Sequence, residues 1–209
     1  MGDISEATKS KILQSAKKEF LEKGFMSASL RTIASNAGLT TGAMYRHFRD
    51  KDALFCALVD GAIDTTLSAV RLGGVEHHRN VENPAGMVHS EEEKVHTFEF
   101  LKYMLDNRDA FVLLFTKAAG SSHENFLEEI SDLYTENVLG TIKWMKKKYG
   151  IKKPIDDMAI HVLANATVNA FIEVILHNMG RKEAETFLSN IMEIFHFGFL
   201  HLLGLSSGE

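Results

Sequence analysis

Between positions 29 and 51 the chain collects side chains suited to holding phosphates and touching base edges: Ser29, Arg31, Thr40, Thr41, Met44, Tyr45, Arg46, His47 and Lys51, with Gly42 among them. Hydroxyls and cations bind phosphate oxygens, and an arginine fork can bond guanine on two atoms. Other constellations invite different chemistry. Glu93/His96 and Glu193/His196 have the E-x-x-H spacing, and Glu173/His177 is one residue longer. A carboxylate-bridged di-metal bundle needs two such pairs plus further inward carboxylates. Glu91, Glu92 and Glu93 instead open a helix, where acids complement the dipole and stay solvated. His77, His78 and His89 read as exposed, and Lys143, Lys146, Lys147, Lys148, Lys152 and Lys153 as a solvated basic run. No Ser/His/Asp or Cys/His signature, phosphate-cradling glycine loop or H-E-x-x-H occurs. The expectation is therefore neither enzyme, metal site nor cofactor.

The elements that position the first group are short helices. Ile12, Leu13, Ala16, Phe20 and Leu21 recur at helical spacing from Thr8 to Lys23, and Gly24 ends that run. Ser29 caps a helix from Leu30 to Ala37, closed by Gly38. Thr40 or Thr41 caps the next, roughly Gly42 to Phe48, and Asp50 a longer one from Lys51 to about Leu72. Two short helices a few residues apart are helix-turn-helix geometry. Residues 73–90, rich in Gly, Asn and His without periodicity, read as a loop or linker. Helical periodicity then returns over Glu91–Asn107, Asp109–Ala119, Ser122–Tyr149, Ile155–Met179 and Lys182–Leu203. The last two are apolar on nearly every side, so each must be covered on more than one face. A second copy of the same pair would do this as a four-helix interface; burial at the centre of a monomer is the alternative.

Bulk properties agree. In 209 residues the hydrophobic share is 45% and the charged share 24%, ordinary for a globular protein. Both prolines, Pro84 and Pro154, fall at boundaries, as an all-α chain requires. The lone Cys56 excludes an internal disulfide framework and a multi-thiolate metal site, and suits a reducing cytosol. No apolar leader opens the chain, and the stretches Met158–Ile172 and Ile194–Ser207 are too interrupted and short to span a bilayer, so a cytoplasmic protein with no membrane partner is expected. The net charge of −5 divides unevenly: residues 1–60 hold nine basic against seven acidic side chains, the remainder fourteen against twenty-one. This permits nucleic-acid contact at the front end without proving it.

The segment SLRTIASNAGLTTGAMYRHFRDKDALFCAL, Ser29 to Leu58, resembles the DNA-binding signature of the TetR/AcrR family. Ser29, Arg31, Ile33, Ala34, Gly38, Leu39, Thr40, Gly42, Tyr45, His47, Phe48, Lys51 and Leu54 stand at the family's positions. Ile33, Ala34, Leu39, Phe48 and Leu54 suit a small trihelical core. Thr40, Thr41, Gly42, Tyr45, His47 and Lys51 suit phosphate contact, while Thr41, Ala43, Met44 and Arg46 suit base reading, with Arg31 reaching from the preceding helix. His47 serves the fold or the phosphate, and Arg46 the base or the solvent.

The resemblance implies an all-α chain of about nine helices, with a DNA-binding domain over residues 1–50 and an effector-binding and dimerisation domain over 51–209, helix 51–72 connecting them. It implies a ligand-responsive repressor, bound to palindromic duplex DNA as a homodimer through helices 155–179 and 182–203. It also places an effector pocket in the second domain. Phe100, Tyr103, Met104, Phe115, Trp144, Asn165 and Asn169 are its candidate lining, suited to a small hydrophobic or aromatic ligand. A helical DNA-binding structural protein without effector and a carboxylate-bridged metalloenzyme are the competing classes.

Overall fold

The structure, a computed structural model, describes residues 2–80 and 91–204, with side chains described over 6–72 and 95–204. Among these residues it is all-α: α1 (Gly2–Ser27), α2 (Leu30–Asn36), α3 (Thr41–Met44), α4 (Lys51–Asn80), α5 (Glu91–Asp106), α6 (Arg108–Thr116), α7 (Phe126–Tyr149), α8 (Asp157–Leu176) and α9 (Arg181–Leu203). Gly24 breaks α1, as the sequence anticipates, by adopting φ 73° and ψ 167°. Only glycine takes that conformation without strain.

Two expectations about length need correction. The third helix runs over four residues rather than seven. Past Met44 the backbone tightens, with the Arg46 and His47 amides donating to the Ala43 and Met44 carbonyls, so the chain turns towards Phe48. Residues 73–80, expected in a loop, continue α4. The rest of that expected loop, 81–90, with His89, lies outside the described residues.

The chain divides into two compact units, Met1–Asp64 with Asn107–Leu127, and Thr65–Asp106 with Glu128–Glu209. The division falls inside α4 rather than at residue 50. The reason is packing: Leu54, Phe55, Val59, Ala62 and Ile63, on the first half of α4, are buried. Phe55 meets Phe20 and Phe25 edge-on, at ring-centroid distances of 5.2 and 5.3 Å. Burying such a ring contributes about 1.5–3 kcal/mol, too much to leave α4 outside the first unit's core. Segment 107–127 joins the same unit: the Phe25 amide donates to the Lys117 carbonyl at 2.9 Å, and Lys17 pairs with Asp109 at 2.7 Å.

Among the described residues the second unit has two apolar centres. Leu101 of α5 packs with Ala170 and Val174 of α8 and Ala184 and Leu188 of α9. Ile142 and Met145 of α7 pack with Ile160 of α8 and Leu203 of α9. The outer faces of α8 and α9 are not covered. Met158 and Val162, one turn apart, and Ile194 and Phe197, likewise one turn apart, remain largely exposed, Val162 at 58% and Ile194 at 65%. Among the described residues, three segments, Lys51–Leu72, Asp157–Leu176 and Arg181–Leu203, are long and apolar enough by length and composition to cross a membrane. This overturns the expectation that the apolar stretches are too short. That expectation demanded uninterrupted apolar runs, and a helix tolerates an isolated polar residue without losing its mean hydropathy.

Candidate nucleic-acid interface

The first unit presents α2 and α3 on a core of Ile12, Ala16, Phe20, Phe25, Ile33, Ala34, Met44, Phe48 and Leu54. Two caps set the angle between the helices. Ser29 Oγ accepts from the Thr32 amide at 3.3 Å, and Thr40 Oγ1 accepts from the Ala43 amide at 3.1 Å. Each occupies one of the donors a helix start would otherwise leave unsatisfied. Gly38, at φ 72°, turns the chain between them, and the Leu39 amide closes the turn onto the Ala34 carbonyl at 2.9 Å. Longer contacts lock α2 against α1. Ser15 Oγ donates to the Ile33 carbonyl at 2.9 Å, and the Ser29 amide donates to Glu19 Oε1 at 3.1 Å. Glu19 and Ser15 are positioning residues the sequence reading missed. Their partners lie 10 and 18 positions away, beyond any local spacing signal.

On this frame Arg31, Thr40, Gly42, Tyr45 and Arg46 face solvent, while Ser29, Thr41, Ala43 and His47 are half-buried. A Cβ built on Gly42 would meet nothing within 4 Å, so the fold itself does not require glycine there. What glycine provides is room for another molecule to approach the backbone. Arg49, passed over by the sequence reading, adds an exposed cation on the next turn, 3.1 Å from Asp50.

Two proposed contacts change place. Met44 is 1% exposed and belongs to the core, so its side chain cannot reach a base edge. Helix geometry explains this: Met44 lies one turn before Phe48, whose amide donates to its carbonyl, and both turn to the core, while Tyr45, at 48% exposure, stays outside. Lys51 folds back on its own unit. Its Nζ donates to the Met26 carbonyl at 3.1 Å and sits 4.6 Å from the centre of the Phe25 ring. Its first role is to fasten the start of α4 to the end of α1.

The candidate effector residues are not all brought together. Phe115, whose ring lies 5.6 Å from Phe111, belongs to the first unit, whereas the other six belong to the second. Met104 is fully buried, Asn169 is exposed, and Trp144 packs beside the α7–α9 centre. Phe100 lies against Phe171 at 5.6 Å. Asn165 has a partner the sequence reading did not identify: its side-chain amide is 2.9 Å from His161 Nε2, and His161 Nδ1 is 3.4 Å from Thr135 Oγ1. Thr135 itself donates to the Ser131 carbonyl at 2.7 Å. This half-buried polar chain crosses from α7 to α8.

Residues 12–58 match the family model described as bacterial regulatory proteins, tetR family. The chain is 25% identical over 180 residues to an uncharacterized HTH-type transcriptional regulator, YerO, of Bacillus subtilis, covering 81% of this chain and 56% of that protein. It is 44% identical over 56 residues to the HTH-type transcriptional repressor Rv1474c of Mycobacterium tuberculosis, covering 27% and 30% of the two chains. It thus spans only about half, or less, of the length of these curated relatives. A solved structure described as a gamma-butyrolactone receptor superposes with a TM-score of 0.57 at 18% identity, over 96% of both chains. At that identity the likeness is one of fold.

Proposed function

The chain belongs to the TetR family of bacterial regulatory proteins, and from that premise we propose that it is a ligand-responsive repressor that binds palindromic duplex DNA as a homodimer in the cytoplasm. The observation that carries this reading is the outward face of α2 and α3. Arg31, Thr40, Gly42, Tyr45 and Arg46 stand exposed on a unit that buries most of its large apolar side chains in its own core, Met26 excepted. Thr40, Gly42 and Tyr45 take phosphate, and Arg46 and Arg31 read base edges. Lys51 acts through the fold, and Met44 is withdrawn from the interface.

The dimer reading rests on the uncovered faces of α8 and α9. Large apolar side chains at Met158, Val162, Ile194 and Phe197 are exposed in pairs one helical turn apart, an arrangement a second copy would cover. A homodimer supplies two recognition helices for a palindromic duplex, whose half-sites lie about 34–36 Å apart, one turn of the duplex. An effector in the second unit shifts the population between geometries that do and do not fit both half-sites. The Thr135–His161–Asn165 chain is a polar anchor of the kind such a ligand needs.

Selection from a pool of random duplexes tests the reading. The full chain should enrich a two-fold symmetric sequence whose half-sites are about 10 base pairs apart. Recovery of sequences with no shared motif contradicts it.

A further inference from the structure

One cluster in the first unit is not used by the α2–α3 face. Asp52, Cys56 and Asp60 recur every four residues along α4, which brings their side chains to one side of the helix. That side meets the segment between α6 and α7. Cys56 Sγ lies 3.4 Å from His123 Nε2 and 3.5 Å from Ser122 Oγ. His123 Nε2 lies 3.9 Å from Asp60 Oδ1. One ligand atom each from Cys56, Asp60 and His123 falls within 4.8 Å of the others. We propose that Cys56, Asp60 and His123 form a binding site for a borderline-soft divalent metal ion, Zn2+ being the best match.

The distances carry the inference. A tetrahedral Zn2+ with a sulfur at about 2.3 Å and a nitrogen or oxygen at about 2.0–2.1 Å holds its ligand atoms about 3.3–3.6 Å apart. The sulfur–nitrogen separation of 3.4 Å already meets this. The nitrogen–oxygen separation of 3.9 Å is about half an ångström too long, and the sulfur–oxygen separation, within 4.8 Å, must close as well; both need movement of Asp60, an exposed side chain. One thiol, one imidazole and one carboxylate select a zinc-like ion over Mg2+ or Ca2+, which prefer all-oxygen sites.

The surroundings hold the ligands in place. Asp52 Oδ1 accepts from the Ser122 amide at 2.8 Å, while its Oδ2 lies 3.7 Å from Cys56 Sγ. The His123 amide donates to Ser121 Oγ at 3.2 Å, and Ser121 is buried. Asp52 thus fixes the segment that presents the imidazole, as outer-shell partners of metal sites do. Burial pushes the Cys56 thiol up, and the Asp52 and Asp60 carboxylates push it further, against the hydrogen bond from Ser122. Burial also pushes the Asp52 carboxyl up, but the Ser122 amide and hydroxyl, Cys56 and His123 together hold it below the ordinary carboxylate range. Such a thiol is no activated nucleophile; it becomes a thiolate when a metal displaces its proton. Three protein ligands leave a fourth position for water, as in exchangeable sites rather than closed structural ones. The residues joined are 67 apart in sequence, so bound metal would clip the first half of α4 to the α6–α7 segment. The site stands independently of any reading of the α3 face.

Co2+ titration of the chelator-treated full chain tests it. One equivalent should bind, with tetrahedral visible bands and a thiolate-to-cobalt charge-transfer band in the near ultraviolet. Because Cys56 is the chain's one cysteine, that band has one possible source. Cys56→Ser should abolish it. Asp52→Asn should weaken binding about 10–100-fold, and His123→Gln and Asp60→Asn at least as much. Far-ultraviolet circular dichroism checks that each variant is folded, and His123→Gln alters a side chain outside any helix should Cys56→Ser fail. No charge-transfer band at stoichiometric Co2+, or affinity unchanged in folded His123→Gln and Asp60→Asn, overturns the site.

Discussion

In the unit formed by residues 1–64 and 107–127, most large apolar side chains turn inward, Met26 excepted, and α2 and α3 show solvent hydroxyls, glycine, a phenol and arginines. In the unit formed by 65–106 and 128–209, α8 and α9 bury one face each and leave Met158, Val162, Ile194 and Phe197 in water. The first unit meets most of its own hydrophobic demand, and the surface of α2 and α3 is left for polar recognition. The second does not, and its surface asks for a partner as apolar as itself. Self-sufficiency and incompleteness, rather than net charge, distinguish the two roles, for the front end has only two basic residues in excess over its first 60.

The largest effect should come from damaging that self-sufficiency. Phe55→Ala removes the ring that meets both Phe20 and Phe25, and urea unfolding should show a loss of about 3–5 kcal/mol. A loss below about 1 kcal/mol, the range of an ordinary surface change, would mean the aromatic cluster is not the unit's core. Next comes the uncovered face. Phe197→Asp, at a side chain 56% exposed, should leave the fold intact and weaken self-association by about 2 kcal/mol or more. Sedimentation velocity should then find the parent chain dimeric and the variant monomeric; an unaltered distribution breaks the contrast between the units. Arg46→Ala should cost about 1–3 kcal/mol in binding to the selected duplex and relax preference at one base position, read by repeating the selection. Smallest is Lys51→Ala. Loss of its contact with the Phe25 ring should lower stability by about 0.5–1 kcal/mol in a thermal melt, with the salt dependence of DNA binding unchanged.

How far these regions were legible in the sequence follows the same line. Caps and breakers act locally, so Ser29, Thr40, Asp50 and Gly24 announced helix ends that the structure repeats. Met44 turns inward with Phe48, one turn on, and a segment this short holds too few apolar residues for periodicity alone to mark that face. Lys51 was read as a contact for phosphate because nothing near it in sequence reveals the Met26 carbonyl and Phe25 ring that hold it. Phe115 was grouped with the second unit because its helix follows α5 in the chain, yet α6 packs with α1. The Cys56–Asp60–His123 cluster had no sequence signature, since the histidine arrives from another segment altogether.

The most direct test of the exposed α2–α3 face is the slope of log affinity against log salt concentration for a selected duplex, measured for the parent chain and for Tyr45→Ala with Arg46→Ala. The parent should lose affinity steeply as salt rises, and the double variant, which loses a base-reading cation and a neutral phosphate donor, should bind more weakly at every salt concentration. Equal affinity and equal slope in both proteins would contradict the account.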